Sequence, residues 1–423
     1  MPVPDTLFLQ IHALTPFAAA LLNRDDVGQA KRMPYGGASR VRVSSQCQKR
    51  HWREVCSEWS LSGLLDPASG NPAPGTVRSR KIISREVAEK LVEEDDFAVD
   101  DVIAVLQPLM AEMLGESKKA KADKVAKKPK DAAKAALAVE AKPLRDRLEV
   151  LDTNQVIVLG KPEIDYIRQT AADLLRQRPN DPDAAVKAHL KKGGANLKAL
   201  RLASGLDAAL FGRMVTSDIL ARGDSAVHVA HALTVHAEEA EPEYFVAIDD
   251  LTREAGELGT GLIQTTELTS GLFYSYVVVD VPLLISNLEG VAPEAWRGAD
   301  KRLAASVIER LIHVIATTSP GAKRGSTAPY GYADLVLVEA GRRQPRSLMT
   351  AFHAPVTKAG ARERAVAALA KHLGSFDEMY GREEERRIAS MLETGAVPAE
   401  AAPDGLAGVA RWAAFQLGAE ARG

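Results

Sequence analysis

A chain of 423 residues carries 54 Lys and Arg against 56 Asp and Glu, a formal net charge of −2, with 46% hydrophobic and 26% charged residues. The length allows two or three domains' worth of core, and the composition excludes a wholly disordered, collagen-like or membrane-spanning chain. Bulk charge so close to zero argues against a dedicated polyanion binder. No apolar run reaches the roughly 18 residues of a membrane helix, the longest being broken by Gln10, His12 and Asp280. Met-Pro-Val-Pro-Asp has no basic n-region and no following apolar h-region, so the chain is expected in the cytoplasm. On one helix, Cys47 and Cys56 would lie roughly 13 Å apart, too far for a disulfide, and two thiols cannot build a Cys-rich zinc site.

In chain order, alternation at Leu7, Leu9 and Ile11 predicts a strand, and Arg40-Val41-Arg42-Val43 predicts another, with Val and Arg on opposite faces. Between them Asn23 to Ser39, with Gly28, Pro34, Gly36 and Gly37, reads as a loop. Ser45 and Gln48 form a capping-box pattern that starts a helix with Trp52, Val55, Cys56 and Trp59 on one stripe. After a Pro- and Gly-rich stretch from Ser62 to Thr76, helical periodicity runs through Val87, Leu91, Val102, Ile103, Leu106, Leu109 and Met113, and again through Ile164, Ile167, Leu174, Leu175, Val186 and Leu190. Strands are expected at His228 to Val235, Tyr244 to Asp249, Leu262 to Leu268 and Phe273 to Val281. A helix carrying Leu303, Val307, Leu311 and Val314 then precedes the strand Asp334 to Val338. Strands at both ends of the chain around a helical insert imply a split, ferredoxin-like α+β core.

Ser117 to Lys142 holds nine Lys, nine Ala and three acidic residues. It reads as a solvated helix or flexible insertion, with a nucleic-acid-touching arm as the alternative.

Local charge tells more than net charge. From Gln29 to Arg53 stand seven cations (Lys31, Arg32, Arg40, Arg42, Lys49, Arg50, Arg53) and no Asp or Glu. On a helix from Ser45, Gln46, Lys49, Arg50 and Arg53 share an arc of roughly 100° apart from the Trp52 stripe. The hydroxyls of Ser44 and Ser45 and the helix N-terminus favour an anion there; a solvated basic face with no ligand is the alternative. Tyr244 to Ile248 carries large apolar residues on both faces, which fits either a buried hairpin or an apolar tip that wedges between bases. His228, His231 and His236 look like a metal cluster, but on a strand His231 faces away from the other two. The glycine-rich segments at Gly256 to Gly261 and Pro320 to Ser326 lack phosphate-loop spacing and read as turns. Asp249 and Asp250 diverge on a strand, so no acid–base pair is assembled, and no catalytic residue, metal or cofactor is expected.

These residues resemble a family. Leu22-Asn-Arg-Asp-Asp-Val-Gly and Tyr35-Gly-Gly-Ala-Ser-Arg-Val-Arg-Val-Ser-Ser-Gln-Cys-Gln-Lys-Arg-His-Trp-Arg resemble the opening of the CasC family, the repeated backbone subunit of the type I-E CRISPR Cascade complex. Ala209-Leu-Phe-Gly-Arg-Met, Val229-Ala-His-Ala-Leu-Thr, Tyr244-Phe-Val-Ala-Ile-Asp-Asp-Leu, Ser270-Gly-Leu-Phe-Tyr and Pro320-Gly-Ala-Lys continue the likeness in the family's order. The resemblance implies an RNA-recognition-motif-like palm (1–62, 226–237 and 269–423), inserted helical fingers (63–225) and a β-hairpin thumb (238–268). It implies a non-catalytic subunit that stacks in copies along the CRISPR RNA beside other Cascade subunits and kinks the guide periodically, so that target DNA pairs in segments. Arg24, Lys31, Ser44, Gln46, Lys49, Arg50 and Arg53 would hold the guide backbone, and Met214, Tyr244, Phe245, Val246 and Ile248 would pack at the kink. The alternatives are a CRISPR-RNA-processing endoribonuclease on a related palm, with His12 or His51 as general base, and a scaffold that touches only proteins.

Overall fold

The computed structural model describes residues 6–114, 142–198, 202, 204–213, 223–248, 260–395 and 397–418. Met214, residues 249–259 of the expected thumb hairpin and nearly all of the Lys/Ala tract lie outside these. The chain divides into two compact units: Met1–Leu64 with Val227–Val281 and Lys301–Gly423, and Leu65–Ala226 with Pro282–Asp300. In chain order the strands are β1 (Phe8–Ala20), β2 (Arg32–Tyr35), β3 (Ala38–Val43), β4 (Thr76–Ser79), β5 (Ile157–Gly160), β6 (Val227–Val229), β7 (Ala232–Thr234), β8 (Ala240–Ile248), β9 (Thr260–Asp280), β10 (Leu335–Gly341), β11 (Glu385–Ser390) and β12 (Glu400–Ala401).

The first unit is built on a ten-stranded sheet in the order β12-β11-β10-β1-β9-β7-β3-β2, with β6 and β8 also pairing β9. The β11–β12 pair is parallel and the others are antiparallel, so the sheet is mixed and the fold is α+β. β1 pairs β10 on one side and β9 on the other, and Leu9 to Leu14 is buried throughout. Two strands expected at 262–268 and 273–281 are one, β9, whose outer half pairs β8 from Ala240↔Thr269 to Ile248↔Thr260. Glycine is required at Gly271, because a Cβ there would lie 2.9 Å from both His236 Nε2 and Thr234 Cγ2.

Other expectations need correction. The single strand read over 228–235 is two, β6 and β7, interrupted at Ala230 and His231. The loop read over 23–39 contains β2, an edge strand that tolerates Pro34 and pairs β3. Their two-residue turn is Gly36-Gly37 with φ of +60° and +78°, the left-handed pair a tight hairpin of this hand requires.

The helix Arg302–Thr317 buries Leu303, Val307, Leu311 and Val314, as its periodicity predicts. Leu369 and Leu373 of the helix Ala361–Tyr380 join Leu14, Tyr274, Leu335, Leu337 and Phe352 in one core cluster. A second cluster of Leu21, Leu22, Val41, Val43 and Phe273 takes Phe17, Cys47 and Leu268 at its margin.

The second unit is helical around Val87, Leu91, Val102, Leu106, Leu109, Ile164, Ile167 and Leu174. The helical reading of this block missed the antiparallel ribbon β4–β5. Glu163 of the helix Lys161–Gln177 is fully buried, accepts the Gly160 N–H at 3.0 Å and forms a bidentate pair with buried Arg213. Among the described residues no helix is long and apolar enough to cross a membrane.

Candidate nucleic-acid interface

The basic segment is positioned by one helix, α1 (Ser45–Glu54). Its N-cap is Ser44 rather than Ser45: Ser44 Oγ accepts the Cys47 N–H at 3.3 Å. Gln48 does not reach back to complete a capping box. Its amide is buried and donates to the carbonyls of Ala230 at 2.9 Å and Val43 at 3.4 Å, which docks α1 on the gap between β6 and β7. With Trp52 one turn on, this is the packed face. The helix stops at Glu54, so Val55, Cys56 and Trp59 do not continue the stripe. Val55 is extended, and Trp59 instead stacks on His313 with centroids 3.6 Å apart. Both cysteines are free thiols, and Cys56 lies beyond the helix.

The outer face of α1 carries Gln46 and Arg50 exposed, with Lys49 and Arg53 half-buried. Arg53 Nε donates to the Lys49 carbonyl at 3.4 Å. Arg50 pairs with Glu54 at 3.1 Å, a carboxylate just past the acid-free stretch. Burial lowers the pKa of the Lys49 ammonium.

Asn23 draws the remaining members together. Its carbonyl accepts the Lys31 N–H at 2.9 Å and its side-chain oxygen accepts the Ser44 N–H at 2.9 Å. Asp25 Oδ1 caps the intervening loop by accepting the N–H groups of Val27 and Gln29, while exposed Arg24 bridges Ala30 at its root.

Two of the seven cations belong elsewhere. Arg40 is wholly buried and does not face outward opposite Val41. Its guanidinium donates to the carbonyls of Thr234 and Phe352, each at 2.9 Å, and more loosely to those of Tyr35 and His353. Arg32 is neutralised by Glu238 and Glu267.

The sequence also missed members of the site. The Ala322 N–H donates to the Leu21 carbonyl at 2.8 Å and the Gly321 N–H to His51 Nε2 at 3.4 Å, fastening the segment that carries Lys323 and Arg324 against α1. Lys323 Nζ donates to Thr266 Oγ1 of β9. Burial pushes the Cys47 thiol pKa up, while the charges of Lys31, Arg50 and Arg324 pull it down. Arg42 bonds His231 Nδ1 at 2.8 Å. A guanidinium only donates, so that ring nitrogen accepts and His231 is neutral. Burial, then the charges of Arg42 and Lys31, lower its pKa. The Lys-Arg pair inside a turn-like Pro-Gly segment was the available sequence cue, but nothing in it announces contact with a helix some 270 residues earlier.

Of the kink residues, Tyr244 is exposed on β8 opposite Thr265. Phe245, Val246 and Ile248 are register partners of Gln264, Ile263 and Thr260, with a bulge before Ile248; their side chains and Met214 lie outside the described residues.

His12, His51 and His236 are held by structure. His12 is buried in the central strand: Leu348 N–H donates to Tyr274 Oη at 2.9 Å, that hydroxyl donates to His12 Nδ1 at 2.8 Å, and Nε2–H donates to Glu339 at 3.0 Å. Arg346 grips Glu339 with two bonds and Arg386 with one. Burial raises the Glu339 pKa, but the bonds from His12 and Arg346 outweigh it and hold the carboxyl well below its usual range. His51 Nδ1 donates to the Cys47 carbonyl at 2.8 Å and its Nε2 accepts from Gly321. His236 is likewise occupied, by the Ala237 carbonyl and the Leu272 N–H. Among the described residues no three His, Cys, Asp or Glu side chains gather as a metal site.

The family described as CT1975-like protein matches residues 9–407, nearly the whole chain. The chain belongs to this family. It also superposes on a chain of a structure described as "CRISPR RNA-guided surveillance complex, pre-nicking", with a TM-score of 0.68 and 26% identity, covering 95% of this chain and 97% of that one. A chain of another "CRISPR RNA-guided surveillance complex" matches at a TM-score of 0.50 and 18% identity over 96% and 98%, a likeness of fold. No curated protein sequence matches.

Proposed function

We propose that this member of the CT1975-like family is the CRISPR RNA-binding backbone subunit of a type I-E Cascade surveillance complex. The carrying observation is the end-to-end superposition, at 26% identity, on a chain of an RNA-guided surveillance complex. On this reading the protein is non-catalytic and acts with other Cascade subunits. Copies line up along the guide, hold its phosphates on α1 and the Lys323–Arg324 segment, and kink it at the β8–β9 arm so that target DNA pairs in segments.

Two features support the finer parts. The strand order β10-β1-β9-β7, with α1 following β3 and the helix Arg302–Thr317 preceding β10, suits an RNA-recognition-motif-like palm, with β8–β9 as its thumb and the helical unit as fingers. The cations on the outer face of α1, with the Lys323–Arg324 segment fastened beside them, suit a backbone-holding surface that reads no bases. The endoribonuclease alternative gains nothing from His12 or His51, whose ring nitrogens are all engaged within the protein.

The test is the absorbance ratio at 260 and 280 nm of the native complex, followed by incubation with a repeat hairpin without metal. Co-purifying RNA and an intact hairpin are expected. A complex free of nucleic acid would overturn the binding role, and cleavage would overturn the non-catalytic one.

A further inference from the structure

The segment after the Lys323–Arg324 turn holds two large aromatic side chains in water, Tyr330 at 73% and Tyr332 at 67% exposure. Single exposed aromatics are common on protein surfaces. These two flank a backbone that is clamped. Gly331 N–H donates to Ser319 Oγ at 2.9 Å and Ser319 Oγ donates to the Gly331 carbonyl at 3.0 Å. A Cβ on Gly331 would lie 2.5 Å from the Pro16 carbonyl oxygen, so the chain presses directly on β1 there. Tyr330 N–H donates to the Ala328 carbonyl and Ala333 N–H to the Ala316 carbonyl, which fixes both sides. The two rings thus stand on a backbone that is already fixed, which leaves only their own rotamers to be ordered on binding.

Their neighbours are cationic. Arg324 and Pro329, the residue before Tyr330, both crowd Gly321, where a Cβ would meet Pro329 Cγ at 2.7 Å and Arg324 Cγ at 3.1 Å. Lys323 reaches Thr266, two residues along β9 from the register partner of Phe245. Exposed aromatics beside Lys and Arg are the chemistry of a single-stranded nucleic-acid groove, in which phosphates meet the cations and π-faces meet bases.

We propose that Tyr330 and Tyr332 form a stacking platform for unpaired bases of a single strand whose phosphates lie on Lys323 and Arg324. This deepens the role proposed above and rests on it. The platform is sequence-tolerant, because every base has a face to stack. It serves whichever strand leaves bases unpaired beside the arm.

The test uses the full chain stripped of bound RNA, with labelled oligouridine and oligothymidine of about ten nucleotides, by anisotropy across a salt series. Tyr330→Ala/Tyr332→Ala is expected to weaken binding about tenfold or more while the salt slope stays as in wild type. Tyr330→Phe/Tyr332→Phe keeps the rings and should bind as wild type. Lys323→Ala/Arg324→Ala should lower the slope. An effect confined to RNA assigns the platform to the guide, and an effect on both oligonucleotides assigns it to either strand. Wild-type affinity in the double Ala variant would overturn the platform even though the protein binds nucleic acid, as would altered self-association at unchanged affinity. If the wild type binds neither oligonucleotide, the RNA-binding role itself fails.

Discussion

The side-chain oxygen of Asn23 accepts the backbone N–H of Ser44 at 2.9 Å. Because the Asn23 carbonyl also holds Lys31, this one residue ties the loop root to the start of α1. Asn23→Ala should cost about 1 kcal/mol, the usual net worth of a hydrogen bond, and weaken RNA binding as well. Asn23→Asp keeps the acceptor but adds a negative charge among cations, so it should retain the melting temperature and lose affinity. If both variants bind RNA as wild type, Asn23 does not organise the site.

The α1 cations should act through phosphate contacts. Lys49→Ala, Arg50→Ala and Arg53→Ala are each expected to lower the salt slope on single-stranded RNA by about 0.7, with little dependence on sequence. Arg50 shares its charge with Glu54 across an exposed pair, which adds at most about 1 kcal/mol to stability. Glu54→Gln should therefore tighten RNA binding with little change in melting. Looser binding by Glu54→Gln would place Arg50 outside the contact surface.

Acid should weaken the fold through the network around the central strand. Burial, only partly offset by Glu339, holds the pKa of His12 below 6.5. The unfolded chain takes up that proton first, so the stability that neutral His12 contributes is complete above about pH 6.5 and is lost as pH falls below it. Glu339, held below its usual range, contributes stability that is complete above about pH 4.5 and is lost further down. Denaturant midpoints should thus drop from pH 7.5 to 5 and more steeply below 4.5. His12→Gln should remove up to about 1.4 kcal/mol per pH unit from the upper part of that slope. A midpoint flat from pH 7.5 to 5 in the wild type would contradict the assignment.

Gly36→Ala should be severely destabilising. The added Cβ would sit 1.6 Å from the His353 carbonyl oxygen, on a backbone already at φ +60°. Gly37, also left-handed, has open space around it. Its Ala variant should pay only the conformational cost, about 1–2 kcal/mol. Equal melting temperatures for the two variants would refute the distinction.

The helical unit offers an independent check. Arg213→Met strands the fully buried Glu163 carboxylate, at an expected cost of about 3–5 kcal/mol. Amide exchange should accelerate in the helix Lys161–Gln177, and unchanged protection there would show that the pair holds little.

What could be seen in the sequence was what is local. The apolar stripe of Arg302–Thr317 and the existence of β1, β3 and α1 follow from short-range patterning, although Gln10 and His12 in β1 and Arg40 in β3 are buried rather than turned outward. What escaped depends on distant partners. Gln48 reads as a capping residue until Ala230, at the break between β6 and β7 within the strand read over 228–235, claims its amide. Arg40 reads as surface charge until four carbonyls from three separated segments enclose it. Lys323 and Arg324 read as part of a turn because α1, which makes them part of a site, lies far earlier in the chain.

β9 runs 21 residues without interruption from beside β1 out to the arm, a span of about 70 Å at strand rise. At its root the residues that pair β8 continue directly into those that pair β1, where the β1 register shifts between Phe17 and Ala20. The sheet therefore sets the arm's direction as it folds. On the proposed role, the protein lays down the path and the RNA bends to follow it.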